Sequence, residues 1–293
     1  MAKIAVIGAG YVGLTTGACL AHLGHDVVVA DNNDDRVKSL KAGIIPFFEP
    51  GLDELVSDVV KSEKLSFALG ASKASENAEF HFLCLPTPAR TDGSSDLSYF
   101  EEGINEILSV LQPNSIVINK STVPLGTAKR LQEDMARTDV HIVSNPEFLS
   151  EGNAIRDFLE PSRIVIGANS REHSERVAKL YSKLNAPILM SSWESAELIK
   201  HTANAFLAMK LTFVNEIATL CEMTGADIKD VTDGIGYDPR IGSDYMNAGP
   251  GWGGSCFPKD SASLAQVARS FGFDFTLLEH TIDLNQKHLF VLA

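Results

Sequence analysis

Short apolar runs alternate with stretches of helical periodicity through the first two thirds of the chain. Residues 3–7, 26–30, 80–85, 115–119, 141–144, 164–167 and 186–190 each read as a strand. Their apolar character is continuous, as in strands buried on both faces of a parallel sheet. Between the first of them, residues 11–23 read as a helix with Leu14, Ala18 and Ala21 on one side, and residues 36–41 begin another. Strands and helices alternating in this way predict a doubly wound α/β sheet.

The character changes after Ser192. Residues 194–223 keep helical periodicity, with Leu198, Ala205, Leu207, Ala208, Leu211, Val214 and Leu220 as the apolar positions. A second helical stretch follows at 227–233. A glycine-rich loop spans 234–254, and helices resume at 261–270 and from Thr276 onward. The expected division is a sheet domain over 1–195 and a helical domain over 196–293. The helical pattern still runs at Ala293 with no stop signal, so the sequence reads as a fragment of something longer.

A length of 293 residues suits two domains. A hydrophobic share of 44% and a charged share of 22% are those of a globular protein. Lys and Arg number 25 against 38 Asp and Glu, a net charge of −13, which makes nucleic acid and anionic membranes poor general partners. Cys19, Cys84, Cys221 and Cys256 are far apart and form no CxxC pair. That spacing argues against a zinc site or a disulfide framework and fits a reducing, cytoplasmic setting. The N-terminal apolar run is broken by Gly8 and Gly10, so it reads as a strand entering a turn, not a signal peptide. No apolar run reaches the length of a membrane span.

Gly8-Ala9-Gly10-Tyr11-Val12-Gly13 is G-x-G-x-x-G, placed between a strand and a helix. In that setting the motif is a dinucleotide signature. Gly8 allows the tight turn, Gly10 the approach of pyrophosphate, and Gly13 close helix–strand packing. The helix N-terminus then offers free N–H groups to the phosphates. Asp31, 18 residues beyond Gly13, ends the second strand. A carboxylate there binds ribose hydroxyls and repels a 2′-phosphate, which favours NAD over NADP. Arg36 lies near the same place and either tolerates a phosphate or neutralises the site. The sheet domain is thus read as a Rossmann-type NAD-binding domain. Small polar residues end further strands: Thr87 between two prolines, Ser121-Thr122, and Asn145-Pro146-Glu147. Ligands of open parallel sheets gather at such strand ends.

The second centre of chemistry is Gly249-Pro-Gly-Trp-Gly-Gly-Ser-Cys256-Phe-Pro-Lys259-Asp260. Four glycines within six residues let a ligand approach the backbone closely. A thiol beside a cation and a carboxylate, behind that platform, reads as a nucleophile. Lys200 and Asn204 are four apart on a predicted helix and share a face suited to an oxyanion or a water. Glu147 and Glu151 are also four apart, at a strand end and the start of an expected helix. They read either as an acid/base pair or as helix N-terminal acids.

These pieces together resemble the UDP-glucose/GDP-mannose family of nucleotide-sugar dehydrogenases. The resemblance rests on IGAGYVGL at 7–14, FFEPGL at 47–52, PTP at 86–88, STVPLGT at 121–127, NPEFLSEG at 145–152, AELIKHTANAFLAMKLTFVNE at 196–216 and GWGGSCFPKD at 251–260. It implies a four-electron oxidation of a sugar alcohol, with NAD as acceptor and UDP-glucose as substrate; GDP-mannose is the alternative. It assigns Cys256 as the nucleophile that holds the aldehyde between two hydride transfers. Lys200 and Asn204 would stabilise the oxyanion. Asp260 would serve water and proton transfer with Glu151 or Glu147, the first expected near the cofactor and the second near the sugar. Thr122 joins the catalytic set and, with Thr87, Tyr11, Val12, Arg36, Glu151 and Lys259, the cofactor contacts. Glu147, Phe148, Leu149, Ser150, Glu151, Lys200, Asn204, Tyr245, Met246, Asn247, Ala248, Gly249 and Gly253 would contact the sugar nucleotide. The long helix would supply a homodimer interface. Family members continue into a further Rossmann-like domain over the nucleotide, which this sequence does not reach. Two other classes remain: a β-hydroxyacid dehydrogenase of the 6-phosphogluconate type, which needs no cysteine, and an NAD-binding scaffold that oxidises nothing.

Overall fold

The computed structural model describes residues 1–291, with side chains described through residue 288; the last two residues of the expected C-terminal helix lie outside the described residues. Eight strands are found among the described residues: β1 (Lys3–Ile7), β2 (Asp26–Asp31), β3 (Leu65–Leu69), β4 (Phe80–Leu83), β5 (Ile116–Asn119), β6 (His141–Ser144), β7 (Ile164–Ala168) and β8 (Ile188–Ser191). The helices are α1 (Tyr11–His22), α2 (Asp34–Lys41), α3 (Leu52–Lys61), α4 (Ala71–Ser75), α5 (Ser98–Ile107), α6 (Thr127–Asp134), α7 (Ala154–Leu159), α8 (Arg171–Ala178), α9 (Trp193–Thr224), α10 (Ile228–Gly236), α11 (Phe257–Ser270) and α12 (Thr276–Val291).

The strands form one sheet in the order β3-β2-β1-β4-β5-β6-β7-β8. Six of its seven pairings are parallel, as expected for a doubly wound sheet. The pairing of β6 with β7 is antiparallel, with Val143 opposite Ala168 and Ser144 opposite Gly167. The uniformly parallel sheet expected from continuous apolar strands is corrected at that point. Both directions bury the strand on two faces, so both write the same apolar run.

Helices cover both faces. Leu14, Ala18, Leu20, Val56 and Val59 pack with Ile4, Val6, Val27 and Val29 on one side. Phe100, Ile104, Ile107, Ala128 and Leu131 pack with Ile7, Leu83, Val117 and Ile142 on the other. Chain ends of helices are set locally: Asn33 caps α2 by accepting from the Arg36 amide at 2.9 Å, and Asp227 caps α10 through the Lys229 amide at 2.7 Å.

The chain divides into two compact units, Met1–Thr87 with Asp96–Lys200, and Pro88–Ser95 with His201–Ala293. The first contains the sheet. The second is helical, and its small core joins Ala205, Leu264, Ala265 and Leu278.

Candidate functional site

In the first unit, the turn between β1 and α1 is built as the glycine pattern demands. Gly8 sits at φ +99°, and a Cβ there would lie 2.4 Å from the Cys84 carbonyl oxygen. A Cβ on Gly13 would lie 1.8 Å from the Gly8 oxygen, so only glycine lets α1 close on the turn. Gly10 faces open space, with nothing within 4 Å of a Cβ placed there. That is the room a pyrophosphate needs at the start of α1. Asp31, at the end of β2, accepts from the Ala9 and Asn33 amides, each at 2.9 Å. Its charge partner is Arg36, whose Nη1 lies 2.9 Å from Oδ2. The guanidinium balances the charge of the carboxylate. These residues fit NAD: an open glycine for the phosphates, and an anchored carboxylate at the end of β2, the fold's ordinary place for a ribose partner.

The strand ends that carry Thr87 and Thr122 are joined by a bond from Thr87 Oγ1 to the Thr122 carbonyl at 2.8 Å. Ser121 Oγ donates to the Leu85 carbonyl at 2.7 Å, fastening the same pair of loops. Glu147 and Glu151 lie in the loop after β6, because α7 begins only at Ala154. The helical start expected at Glu151 is therefore corrected to Ala154. Glu147 is buried against Lys200, with Oε1 and Nζ 3.1 Å apart. Its other oxygen accepts from the Leu149 amide at 2.6 Å. Lys200 also stands 5.4 Å from the Phe148 ring, whose face carries the Arg163 guanidinium at 3.9 Å. Ser150 and Glu151 are exposed, and Leu149 is half-buried.

Three buried charges beside these residues were not singled out in the sequence. Glu49 accepts from the hydroxyl of Tyr11 and from the amides of Gly152 at 2.9 Å and Ala154 at 2.8 Å. Glu197 accepts from the Gly126 and Ala128 amides at 2.7 and 2.9 Å, at the start of α6. Burial raises its carboxyl to about 7, against those two bonds. Lys120 donates to Asn145 Oδ1 at 3.2 Å and lies between the rings of Phe158 and Tyr181. Burial lowers its amine to about 8. A cavity of about 40 Å³ lined in part by Lys120, Asn145, Glu147 and Tyr181 has room for a water.

In the second unit, Cys256 is the N-cap of α11, with Pro258 in the first turn. The expected start of that helix at 261 moves back to Phe257, which puts Lys259 and Asp260 on the helix itself. Cys256 is exposed, while Cys19, Cys84 and Cys221 are buried. Burial drives the thiols of Cys19 and Cys84 up to about 12. Cys256 is thus the thiol that a substrate can reach. Asp260 is buried, yet it receives Asn204 Nδ2 at 2.6 Å and Lys259 Nζ at 2.7 Å. Of the helix pair, Asn204 therefore faces the carboxylate next to the cysteine loop.

The glycine loop before Cys256 is tied down. The Gly249 amide donates to Asn215 Oδ1 at 2.9 Å, and its carbonyl lies 2.8 Å from His288 Nε2. Asn285 takes the Trp252 amide and returns a bond to the Trp252 carbonyl, both at 2.8 Å. The indole Nε1 of Trp252 donates to Thr212 at 2.8 Å. Tyr245 holds φ at +59°, Asn247, Ala248 and Gly253 are exposed, and Met246 is buried.

Two family models match the chain: the NAD binding domain of the UDP-glucose/GDP-mannose dehydrogenase family over residues 2–185, and that family's central domain over residues 194–287. The chain is 43% identical to UDP-glucose 6-dehydrogenase TuaD of Bacillus subtilis over 292 residues, covering 98% of this chain and 63% of that protein. It is 46% identical to UDP-glucose 6-dehydrogenase of Rhizobium meliloti, covering 97% of this chain and 68% of that protein. Among solved structures it resembles a UDP-glucose dehydrogenase from Pyrobaculum islandicum, at 37% identity and a TM-score of 0.93, covering 98% of this chain and 68% of that one. The chain thus spans about two thirds of the length of these relatives.

Proposed function

The chain belongs to the UDP-glucose/GDP-mannose dehydrogenase family, and we propose that it serves the NAD-dependent oxidation of UDP-glucose to UDP-glucuronate. The observation that carries this reading is the exposed Cys256 beside the buried Asn204–Asp260–Lys259 network. A β-hydroxyacid dehydrogenase has no use for such a thiol.

NAD, when bound, accepts the hydride of each oxidation. The sugar's primary alcohol first gives up a hydride and its hydroxyl proton, leaving an aldehyde. The Cys256 sulfur adds to that carbonyl carbon, and the resulting thiohemiacetal stays attached to the protein. Loss of a second hydride and a proton gives a thioester. Water then displaces the thiol and releases the carboxylate, so one water is consumed and two NAD are reduced per sugar. Lys200 supplies positive charge for the oxyanion of these steps, and the Asn204 amide donates beside it. Asp260 takes or gives the proton of water, aided by Glu151, with Thr122 on the adjoining strand end. Glu147 holds Lys200 in place, so it acts on the oxyanion through its ion pair. Gly8, Gly10, Tyr11, Val12, Gly13, Asp31, Arg36 and Thr87 hold the cofactor, and Lys259 is assigned to it by the same reading. Phe148, Leu149, Ser150, Tyr245, Asn247, Ala248, Gly249 and Gly253 contact the nucleotide sugar.

The same proposal includes a homodimer through α9. Phe206, Phe213 and Leu220 recur at seven-residue spacing on that helix and are 56%, 54% and 52% exposed. Such an apolar stripe is what a second copy would cover. Sedimentation of the protein and of Phe213→Glu tests it: a monomer in the unsubstituted protein counts against the interface.

The catalytic reading is tested by counting NADH against UDP-glucose consumed. It expects two NADH per sugar, and in Cys256→Ser no free acid. Full acid production by that variant would remove the cysteine from the mechanism. GDP-mannose in place of UDP-glucose is the control for substrate class.

A further inference from the structure

The carboxylate of Glu49 is used in full by partners from two places in the sheet unit. It is 4% exposed. One oxygen accepts the Tyr11 hydroxyl and the Gly152 amide at 2.9 Å; the other accepts the Ala154 amide at 2.8 Å. Tyr11 is the first residue of α1, directly after Gly10 of the glycine turn. Gly152 and Ala154 flank the end of the loop that carries Glu151. The Tyr11 hydroxyl reaches that loop itself, lying 3.4 Å from the Ser150 carbonyl and accepting from the Gly152 amide at 3.3 Å. The Tyr11 ring is braced by Phe47 at 5.3 Å between centroids. Burial and the neighbouring Glu49 carboxylate both push the Tyr11 hydroxyl far above its ordinary pKa, so it remains a donor at any working pH.

Removing Glu49 from such a network leaves its donors short of an acceptor in a buried place, and removing the Tyr11 hydroxyl leaves the buried carboxylate one donor short. The loop without Glu49 has two amides to satisfy, at Gly152 and Ala154, and Gly152 at φ +87° gives it little stiffness of its own. The loop is held in part by Asp157, which accepts from the Ser150 amide at 2.8 Å, and it is tied to α1 through Glu49 and the Tyr11 hydroxyl, next to the turn that meets the phosphates.

We infer that Glu49 and Tyr11 are positioning residues that lock the Glu151 loop to the dinucleotide turn, so that cofactor binding and loop order are coupled. This rests on the reading of the glycine turn as the NAD site. Coupling of this kind is reciprocal: if NAD steadies the loop, an ordered loop raises the affinity for NAD by the same factor.

The test is hydrogen exchange of the segment 150–155, with and without saturating NAD, in the unsubstituted protein, Tyr11→Phe and Glu49→Gln. NAD should slow exchange there by about tenfold in the unsubstituted protein, within the usual range of coupling. In Tyr11→Phe, which loses one hydroxyl and keeps the ring, the NAD effect should shrink to about threefold or less while exchange in β1 and β4 stays unchanged. The NAD dissociation constant should rise by a matching factor. Glu49→Gln, which keeps one acceptor oxygen, should fall between the two. An NAD effect of equal size in all three proteins overturns the coupling, as does bound NAD with no effect on the segment. Failure of the unsubstituted protein to bind NAD overturns the cofactor reading as well, and the binding curve distinguishes that outcome.

Discussion

His81 lies in β4, at the middle of the sheet, with no exposure. Burial lowers its imidazole to about 4, and a backbone contact at Ala78 offsets only part of that. The fold thus accepts the neutral ring. In the unfolded chain the ring titrates near its ordinary value of 6.5. Between those values the unfolded chain binds the extra proton, so this contribution is complete above 6.5 and is lost as the pH falls toward 4. A gap of roughly 2.5 units corresponds to about 3.4 kcal/mol when fully expressed, of which about 2 kcal/mol is gone at about pH 5. His81→Leu removes the titration and keeps an apolar group in the strand. Urea unfolding followed by circular dichroism gives the stability of each protein at about pH 7.5 and about pH 5. Taking variant minus unsubstituted protein at each pH cancels the other titrating groups, among them His25, His141 and His173, which burial also lowers. That difference should move in the variant's favour by about 2 kcal/mol on acidification. A difference that stays flat with pH refutes the argument, whatever its absolute size.

Three further outcomes follow from the geometry. Lys200→Met strands the buried Glu147 charge and should cost about 3–5 kcal/mol in urea unfolding, while the double variant with Glu147→Gln costs clearly less than the two singles summed; strict additivity would show the pair is not coupled. Gly13→Ala forces a Cβ into the Gly8 carbonyl and should weaken NAD binding at least about tenfold by calorimetry, since the turn itself must move; unchanged affinity would dissociate the turn from the cofactor. Asn285→Leu removes both bonds to the Trp252 backbone and should destabilise the helical unit by about 2 kcal/mol, with faster hydrogen exchange at 249–254; unaltered exchange would mean the loop is held elsewhere.

Much of this was legible in the sequence because its signals are local. The glycine turn, Asp31 and the exposed cysteine each announce themselves within a few residues, and the apolar runs mark most strands. The strand Leu65–Leu69 was not read, because Ser66 breaks its short apolar run. The direction of β7 is invisible to a pattern that is the same either way round. Glu49, Glu197 and Lys120 were missed for a different reason. Their partners lie 103 and 105, 69 and 71, and 25 residues away, so even where they fall inside a recognised motif, as Glu49 and Glu197 do, the sequence does not show that they are buried. The motifs FFEPGL and STVPLGT were recognisable as family signatures, but the first was seen as a pattern without a physical task. The ion pair of Glu147 with Lys200 was not legible either, because the two residues lie far apart in the chain.

The fastening of the glycine loop bears on how the second unit meets its ligand. Glycines ordinarily bring freedom, and that freedom must be surrendered when a ligand docks. Here Asn215, Thr212, Asn285 and His288 have already fixed Gly249 and Trp252 from two helices. The entropy of ordering that part of the loop is therefore settled during folding. What the glycines leave behind is a smooth, pre-set surface, so the ligand proposed for it would spend little of its binding energy on arranging the backbone that leads to the thiol.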